Sequence, residues 1–130
     1  MSTLHENLLA AKDLRPQSTK AKNYFTFNED GKTCGCASAL LAEFHGLKVP
    51  DNMEEAQIEK FPYSSEIVRK LEEHYSTRLS RLQYISCQYC DHNHKSHSIL
   101  NLIYHLNDDH KFSIEEIAEH LVPFDIQQIN

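Results

Sequence analysis

The feature that most constrains this chain is a pattern of cysteine and histidine in its C-terminal third. Two residues separate Cys87 from Cys90, fourteen separate Cys90 from His105, and four separate His105 from His110. This C-x2-C-x14-H-x4-H spacing is close to that of zinc sites built from two cysteines and two histidines. Four protein ligands complete the tetrahedron around zinc and leave no open position, so the pattern predicts a structural zinc ion.

Three other histidines compete for the histidine positions. His92, His94 and His97 lie in a polar turn directly after the cysteine pair. An alternative site would combine the two cysteines with one of these histidines. Because exposed turn histidines are common, we interpret these three as a solvated turn. The residues alone also leave open a chain without a native metal. If zinc is bound, its removal should unfold at least the C-terminal segment.

Charge limits the partners of this segment. The whole chain has a formal net charge of −6, and residues 83–130 contain two basic and seven acidic residues. A nucleic-acid-binding module uses lysine and arginine to neutralise phosphates, which releases the counterions bound to the nucleic acid. The histidine-bearing stretch "SILNLIYHLNDDH" is apolar and then acidic, unlike the basic helix of a DNA-reading zinc finger. Nucleic acid is therefore a poor partner for the C-terminal half.

The compartment is predicted from the cysteines and the N-terminus. No apolar run approaches the roughly 18 residues needed to span a bilayer. The first residues, "MSTLHENLLAAKDL", carry charges that a secretion signal would not contain. Four cysteines without such a signal favour reduced thiols or metal ligands. We therefore expect a cytoplasmic protein without a membrane segment.

Hydrophobic periodicity predicts a mainly helical α+β fold in a single domain, 1–130. We expect a helical part, 1–82, a zinc-stabilised part, 83–130, and one or two short strands. Thr33 is the expected cap of one core helix, which should stop at Gly46. Ser113 and Glu116 form a capping box for the last helix. Helices are predicted within 3–13, 34–46, 51–61, 64–82, 98–106 and 114–121, with strands within 23–33 and 82–86.

Two further features have a functional and a structural interpretation. The predicted helix 64–82 carries a basic line, which we interpret as a solvated face, with a docking strip for a partner as the alternative. Its members are Lys70, His74, Arg78 and Arg81. Cys34 is expected at a helix N-terminus, where the dipole favours a reactive thiolate. His45 lies too far along the helix to act as its base, so Cys34 is interpreted as a packing residue.

Three motifs resemble those of a group of small uncharacterised proteins from tailed bacteriophages and prophages. They are "LRPQ" at 14–17 followed by "YFTFNEDGKTCGCASALL", the C-x2-C pair, and "HLNDDHKFSIEEIAEHL". The resemblance spans nearly the whole chain. It implies that His105 and His110 belong with Cys87 and Cys90, and it leaves the activity open, because that group has no established function. Asp91 stands where the group often has glycine.

We therefore expect a phage accessory protein with a structural zinc ion that binds a host or phage protein, countering a defence system or altering host machinery. Small size, acidic charge and a closed metal site favour this role over an enzyme. The alternative is a nucleic-acid-binding or regulatory zinc-finger-like protein that uses the basic line. A third hypothesis is an enzyme with Cys34 or an open zinc site. The sequence does not predict the oligomeric state.

Overall fold

Short helices make up most of the computed structural model, which describes residues 2–18, 24–78, 85–87 and 95–129. Two pairs of short strands accompany them. Because helices predominate among the described residues, the predicted mainly helical class is confirmed. Within these residues the helices are α1 (Leu4–Ala11), α2 (Ala37–Phe44), α3 (Met53–Ala56), α4 (Ser64–His74), α5 (Ile99–Tyr104) and α6 (Ile114–Leu121). The strands are β1 (Phe25–Phe27), β2 (Thr33–Gly35), β3 (Ile85–Ser86) and β4 (Lys95–Ser96).

Each pair of strands forms a small antiparallel hairpin. In the first, Phe25 lies opposite Gly35 and Phe27 lies opposite Thr33. Its turn contains Gly31 at φ +76°, a conformation that side chains rarely adopt. In the second hairpin β3 pairs with β4, and Cys87 is the residue that directly follows β3.

Helix α2 lies at the centre of the core because its apolar residues face several neighbours at once. Leu40 and Leu41 are fully buried. Helix α2 packs against α1, α4 and α5, and α1 also packs against α6. One apolar cluster therefore runs from Leu4 in the first helix to Leu121 in the last. The burial of its members accounts for most of the driving force for folding.

Two predicted helix boundaries are confirmed. Helix α6 begins with the capping box, in which Ser113 N donates to Glu116 Oε1 (3.0 Å) and Glu116 N donates to Ser113 Oγ (3.2 Å). Gly46 follows the end of α2 at φ +101°, the left-handed conformation that ends many helices. Both signals are local, so the sequence alone is enough to place them.

The predicted cap of α2 is wrong. Thr33 lies in β2, and its hydroxyl donates to Pro50 O (2.6 Å) instead of closing a helix. The pairing of β2 with β1 holds residues 33–35 extended, so α2 begins only after Cys36. Cys34 therefore does not lie at a helix N-terminus, and the dipole argument for its reactivity fails. Burial raises the pKa of the neighbouring Cys36 thiol to about 11.

Helix α4 is shorter than predicted and ends at His74. The next residue, Tyr75, is extended (φ −140°, ψ 148°) and forms a bridge with Gln128 near the C-terminus. Its hydroxyl accepts a hydrogen bond from Asn7 Nδ2 (2.7 Å) in α1. These long-range contacts outweigh the local preference for helix, because a weak propensity yields to tertiary context.

A buried ion pair explains part of the "LRPQ" stretch. The Arg15 side chain is 5% exposed and binds Glu43 in α2 through two parallel hydrogen bonds of 2.8 and 2.7 Å. It also reaches Asp51 at 3.0 Å. Two residues on, Gln17 Nε2 donates to Thr33 O (2.6 Å). The stretch therefore ties the end of α1 to α2 and to the first hairpin.

Candidate metal centre

Three side chains from two separate parts of the chain converge on one point. His110 Nε2 lies 3.1 Å from His105 Nε2 and 3.3 Å from Cys87 Sγ. All three ligand atoms are within 4.8 Å of one another. With the usual zinc–ligand bond lengths, a tetrahedral ion sets about 3.3 Å between two nitrogens and about 3.6 Å between nitrogen and sulfur. The side chains thus lie close to the spacing that a bound metal requires.

A π turn aligns the two histidines. Helix α5 continues into a π-helical turn over His105–Asp109, and the His110 N–H donates to the His105 carbonyl (3.3 Å). In a regular α-helix, residues five apart point about 140° away from each other. The wider turn instead brings both Nε2 atoms to the same side. Such turns occur often at functional sites.

Asp109 fixes the His105 ring. Its Oδ2 atom lies 2.6 Å from His105 Nδ1, so Nδ1–H donates to the carboxylate. That tautomer leaves the lone pair on Nε2 directed at the cluster. A carboxylate behind a ligating imidazole is a common arrangement in metalloproteins, and it also makes the nitrogen a better ligand.

The cluster is largely removed from solvent. Cys87 is 3% exposed and His105 is 9% exposed. Phe112 stacks on the His110 ring with centroids 5.3 Å apart. It is held there because Lys111 adopts a left-handed φ of 55°, which lets Phe112 N donate back to Leu106 O (3.0 Å). Exclusion of water strengthens the attraction between a cation and these ligands.

The same turn also supports a distant helix. Asn107 is buried, and its Oδ1 atom accepts a hydrogen bond from Ala37 N (3.0 Å) at the start of α2. Cys36, the residue in the cap position, forms no side-chain cap of its own. A residue between the two candidate histidine ligands therefore caps the central helix. No local pattern in the sequence predicts this contact.

The remaining predicted ligands have different outcomes. Cys90, His92 and His94 lie outside the described residues, so the predicted ligand set stays a prediction for these positions. His97 is exposed, and it does not belong to the cluster that the described residues form. The structure thus shows a possible metal site of one cysteine and two histidines.

The basic line is not a continuous helix face. Lys70 and His74 lie on α4, and Lys70 Nζ is 3.8 Å from Glu73. Arg78 lies beyond the end of α4 and forms a bridge with Ser98. Arg81 falls outside the described residues. The interpretation of these four residues as a docking strip stays a prediction.

Histidine also occurs in a second polar cluster, at the end of α4. The rings of His45 and His74 stack with centroids 4.1 Å apart. The buried Tyr75 hydroxyl, which accepts from Asn7, donates to His45 Nε2. Burial, together with the charges of His74 and Lys70, lowers the pKa of His45 to about 4. A neutral His45 therefore belongs to the folded state.

Comparison with known proteins gives no relatives: no protein-family model, curated protein or solved structure matches the chain. None of the helices in the described residues has the length and apolar character that a bilayer crossing requires.

Proposed function

We propose that the chain is a zinc protein in which the ion holds the second hairpin against the end of α5. The observation that carries this proposal is the convergence of Cys87, His105 and His110. A thiolate with two imidazoles suits zinc better than magnesium or calcium, which prefer oxygen ligands. Cys90 is the fourth ligand that the C-x2-C spacing offers. With four protein ligands the site is closed and its role is structural.

Ligand residues and supporting residues have different roles in such a site. Cys87 brings the end of β3 to the ion, and His105 and His110 bring the π turn. Asp109 keeps His105 in the binding tautomer, and Asn107 connects the turn to α2. Bound zinc would replace the weak contacts among these groups with metal–ligand bonds, so its binding free energy adds to the free energy of folding.

Metal analysis of the purified protein tests this proposal. We expect one zinc per chain, and we expect Cys87→Ser and Cys90→Ser each to lower both the zinc content and the melting temperature. Cys34→Ser is the matched cysteine control, and His97→Gln tests the alternative histidine; both variants should retain zinc. Unchanged zinc content in Cys87→Ser would contradict the proposal, and zinc loss in His97→Gln would favour the alternative ligand set.

We further propose that this zinc-stabilised chain is a phage accessory protein that acts in the host cytoplasm by binding a host or phage protein. The resemblance of three motifs to small phage proteins and the net charge of −6 support this role. An acidic surface attracts basic partners such as nucleic-acid-binding proteins and repels nucleic acid itself.

Affinity purification from infected bacteria, followed by mass spectrometry, tests this role. We expect a defined partner that is enriched over a tagged control protein of similar size and charge. Recovery of nonspecific proteins alone would count against the role. Salt-sensitive binding of DNA or RNA by the purified protein, lost on reversal of Lys70 and Arg78, would favour the nucleic-acid alternative.

A further inference from the structure

A shallow pocket of about 330 Å³ lies between the loop after α2 and the segment that enters α4. Leu47, Phe61 and Tyr63 contribute its apolar walls, and Lys48 and Lys60 stand beside them. We call this feature the Tyr63 pocket. It lies outside the candidate metal centre and shares no residue with it.

The apolar walls of the pocket are held in place. The Phe61 ring stacks on Phe25 of β1 with centroids 5.5 Å apart, and it also contacts Phe27 at 5.2 Å. On the other side, Gly46 turns the chain so that Leu47 N donates back to Ala42 O (3.2 Å). Preformed walls lower the entropic cost of binding a ligand there.

Tyr63 is the unusual residue of the pocket because its large ring is 72% exposed. Its backbone N–H donates to Glu66 Oε2 (2.6 Å) at the first turn of α4, so the start of that helix fixes the backbone from which the ring projects. Tyrosine is among the residues that contribute most when an interface buries them. An exposed tyrosine beside an apolar pocket matches the composition of protein interfaces, in which aromatic residues are enriched.

The charges around the pocket favour an acidic ligand. Lys48 and Lys60 are both exposed, and neither forms an ion pair with any residue in the described ranges 2–18, 24–78, 85–87 and 95–129. Glu66 also lines the pocket, but its carboxylate accepts the Tyr63 N–H at the helix N-terminus, where negative charge is stabilised. Two ammonium groups thus remain for a ligand, in a chain whose net charge is −6.

We propose that the Tyr63 pocket docks a segment of a partner protein that inserts one apolar side chain and places carboxylates opposite Lys48 and Lys60. This inference rests on the proposed function only in that the chain binds a partner protein. The net charge of −6 describes the whole chain, whereas the Tyr63 pocket carries two exposed lysines and so selects an acidic segment of that partner. Nucleic acid fits less well, because its binding grows with the number of phosphate contacts and the pocket offers two cations.

Selection from a random twelve-residue peptide library, displayed on filamentous phage, tests this inference with the purified zinc-loaded protein. We expect enriched peptides in which an aromatic or aliphatic residue is flanked by Asp or Glu. Tyr63→Ala should weaken the binding of a selected peptide at least about 30-fold, the effect of losing one central interface residue. Lys60→Glu should also weaken the binding of the peptide relative to wild type, and it should reduce the dependence of that binding on salt concentration.

Matched substitutions outside the pocket provide the control. Ile58→Ala removes an apolar side chain that is 88% exposed, and Lys32→Glu reverses an exposed charge; neither residue lines the pocket. Both variants should bind the peptide like the wild type. All four changes are at exposed positions, so circular dichroism and melting temperature should show intact folding.

Several results would overturn the inference. They are the absence of enriched peptides, the enrichment of basic peptides, and equal binding of a selected peptide to wild type and Tyr63→Ala. A wild-type dimer that Tyr63→Ala converts to a monomer would assign the pocket to a second copy of the chain instead. If the partner from infected cells is recovered equally by wild type and Tyr63→Ala, the pocket is not its docking surface, while the proposed function stands.

Discussion

Asp109 offers the sharpest test of the candidate metal centre, because it would never touch the ion itself. Its contact with His105 Nδ1 (2.6 Å) holds the ring in the tautomer that binds metal. Loss of such a supporting carboxylate lowers metal affinity by about 10- to 100-fold. The Asp109 side chain is 67% exposed, so water already screens much of its charge. We therefore expect Asp109→Ala to lower the zinc affinity by about 10-fold, the low end of this range, which corresponds to about 1.4 kcal/mol of binding free energy.

The assay is a competition titration of the purified protein against a chromophoric zinc chelator at neutral pH. Asp109→Asn keeps an acceptor near Nδ1 but removes the charge, so its affinity should fall between those of wild type and Asp109→Ala. Asp108→Asn is the matched control, because Asp108 is an exposed neighbour of equal charge that has no hydrogen bond to His105. Wild-type zinc affinity in Asp109→Ala, or an equal loss in Asp108→Asn, would refute the argument that Asp109 positions the ligand.

Three further predictions concern stability. Arg15→Ala leaves the largely buried Glu43 carboxylate without its partner, so the melting temperature should fall by about 10 °C, equivalent to about 3 kcal/mol, in a calorimetric scan; a fall no larger than that of Arg15→Lys would contradict this. The folded-state pKa of His45, about 4, lies below the usual 6.5, so the unfolded chain binds more protons between these values. Stability is therefore complete above pH 6.5 and should fall by about 2 kcal/mol as the pH drops to 4, a value reduced because solvent screens the partly exposed ring. Urea unfolding of the zinc-loaded protein should show a smaller fall in His45→Gln than in wild type, because any release of zinc at low pH is common to both. Asn107→Leu removes the cap of α2 at a cost of about 1 to 2 kcal/mol and should speed hydrogen exchange of the Ala37 amide; unchanged exchange by NMR would contradict the assigned contact.

Local signals in the sequence were sufficient where the neighbours of a residue decide its conformation. The capping box of Ser113 and Glu116 placed the start of α6, and hydrophobic periodicity placed α5 within residues 98–106. The spacing of cysteine and histidine selected Cys87, His105 and His110, which the fold brings together. In each case the residues that form the pattern are themselves the ones that make the interaction.

The sequence failed where distant residues decide. Thr33 has the chemistry of a helix cap, but pairing with β1 makes it part of a strand. Tyr75 continues the apolar stripe of α4, but hydrogen bonds from the two ends of the chain hold it extended. The π turn and the role of Asn107 were also missed, because neither has a compositional signature and the Ala37 contact joins positions 70 residues apart.

That contact has a consequence for any attempt to divide the chain. The predicted helical part, 1–82, would lack the side chain that caps its central helix, and it would expose the surface of α1 that α6 covers. The part from 83 to 130 would in turn lose α1, which covers α6, and the Ala37 N–H that binds Asn107. Two fragments cut at this boundary should therefore remain largely unfolded alone and should assemble into a native-like complex when they are expressed together.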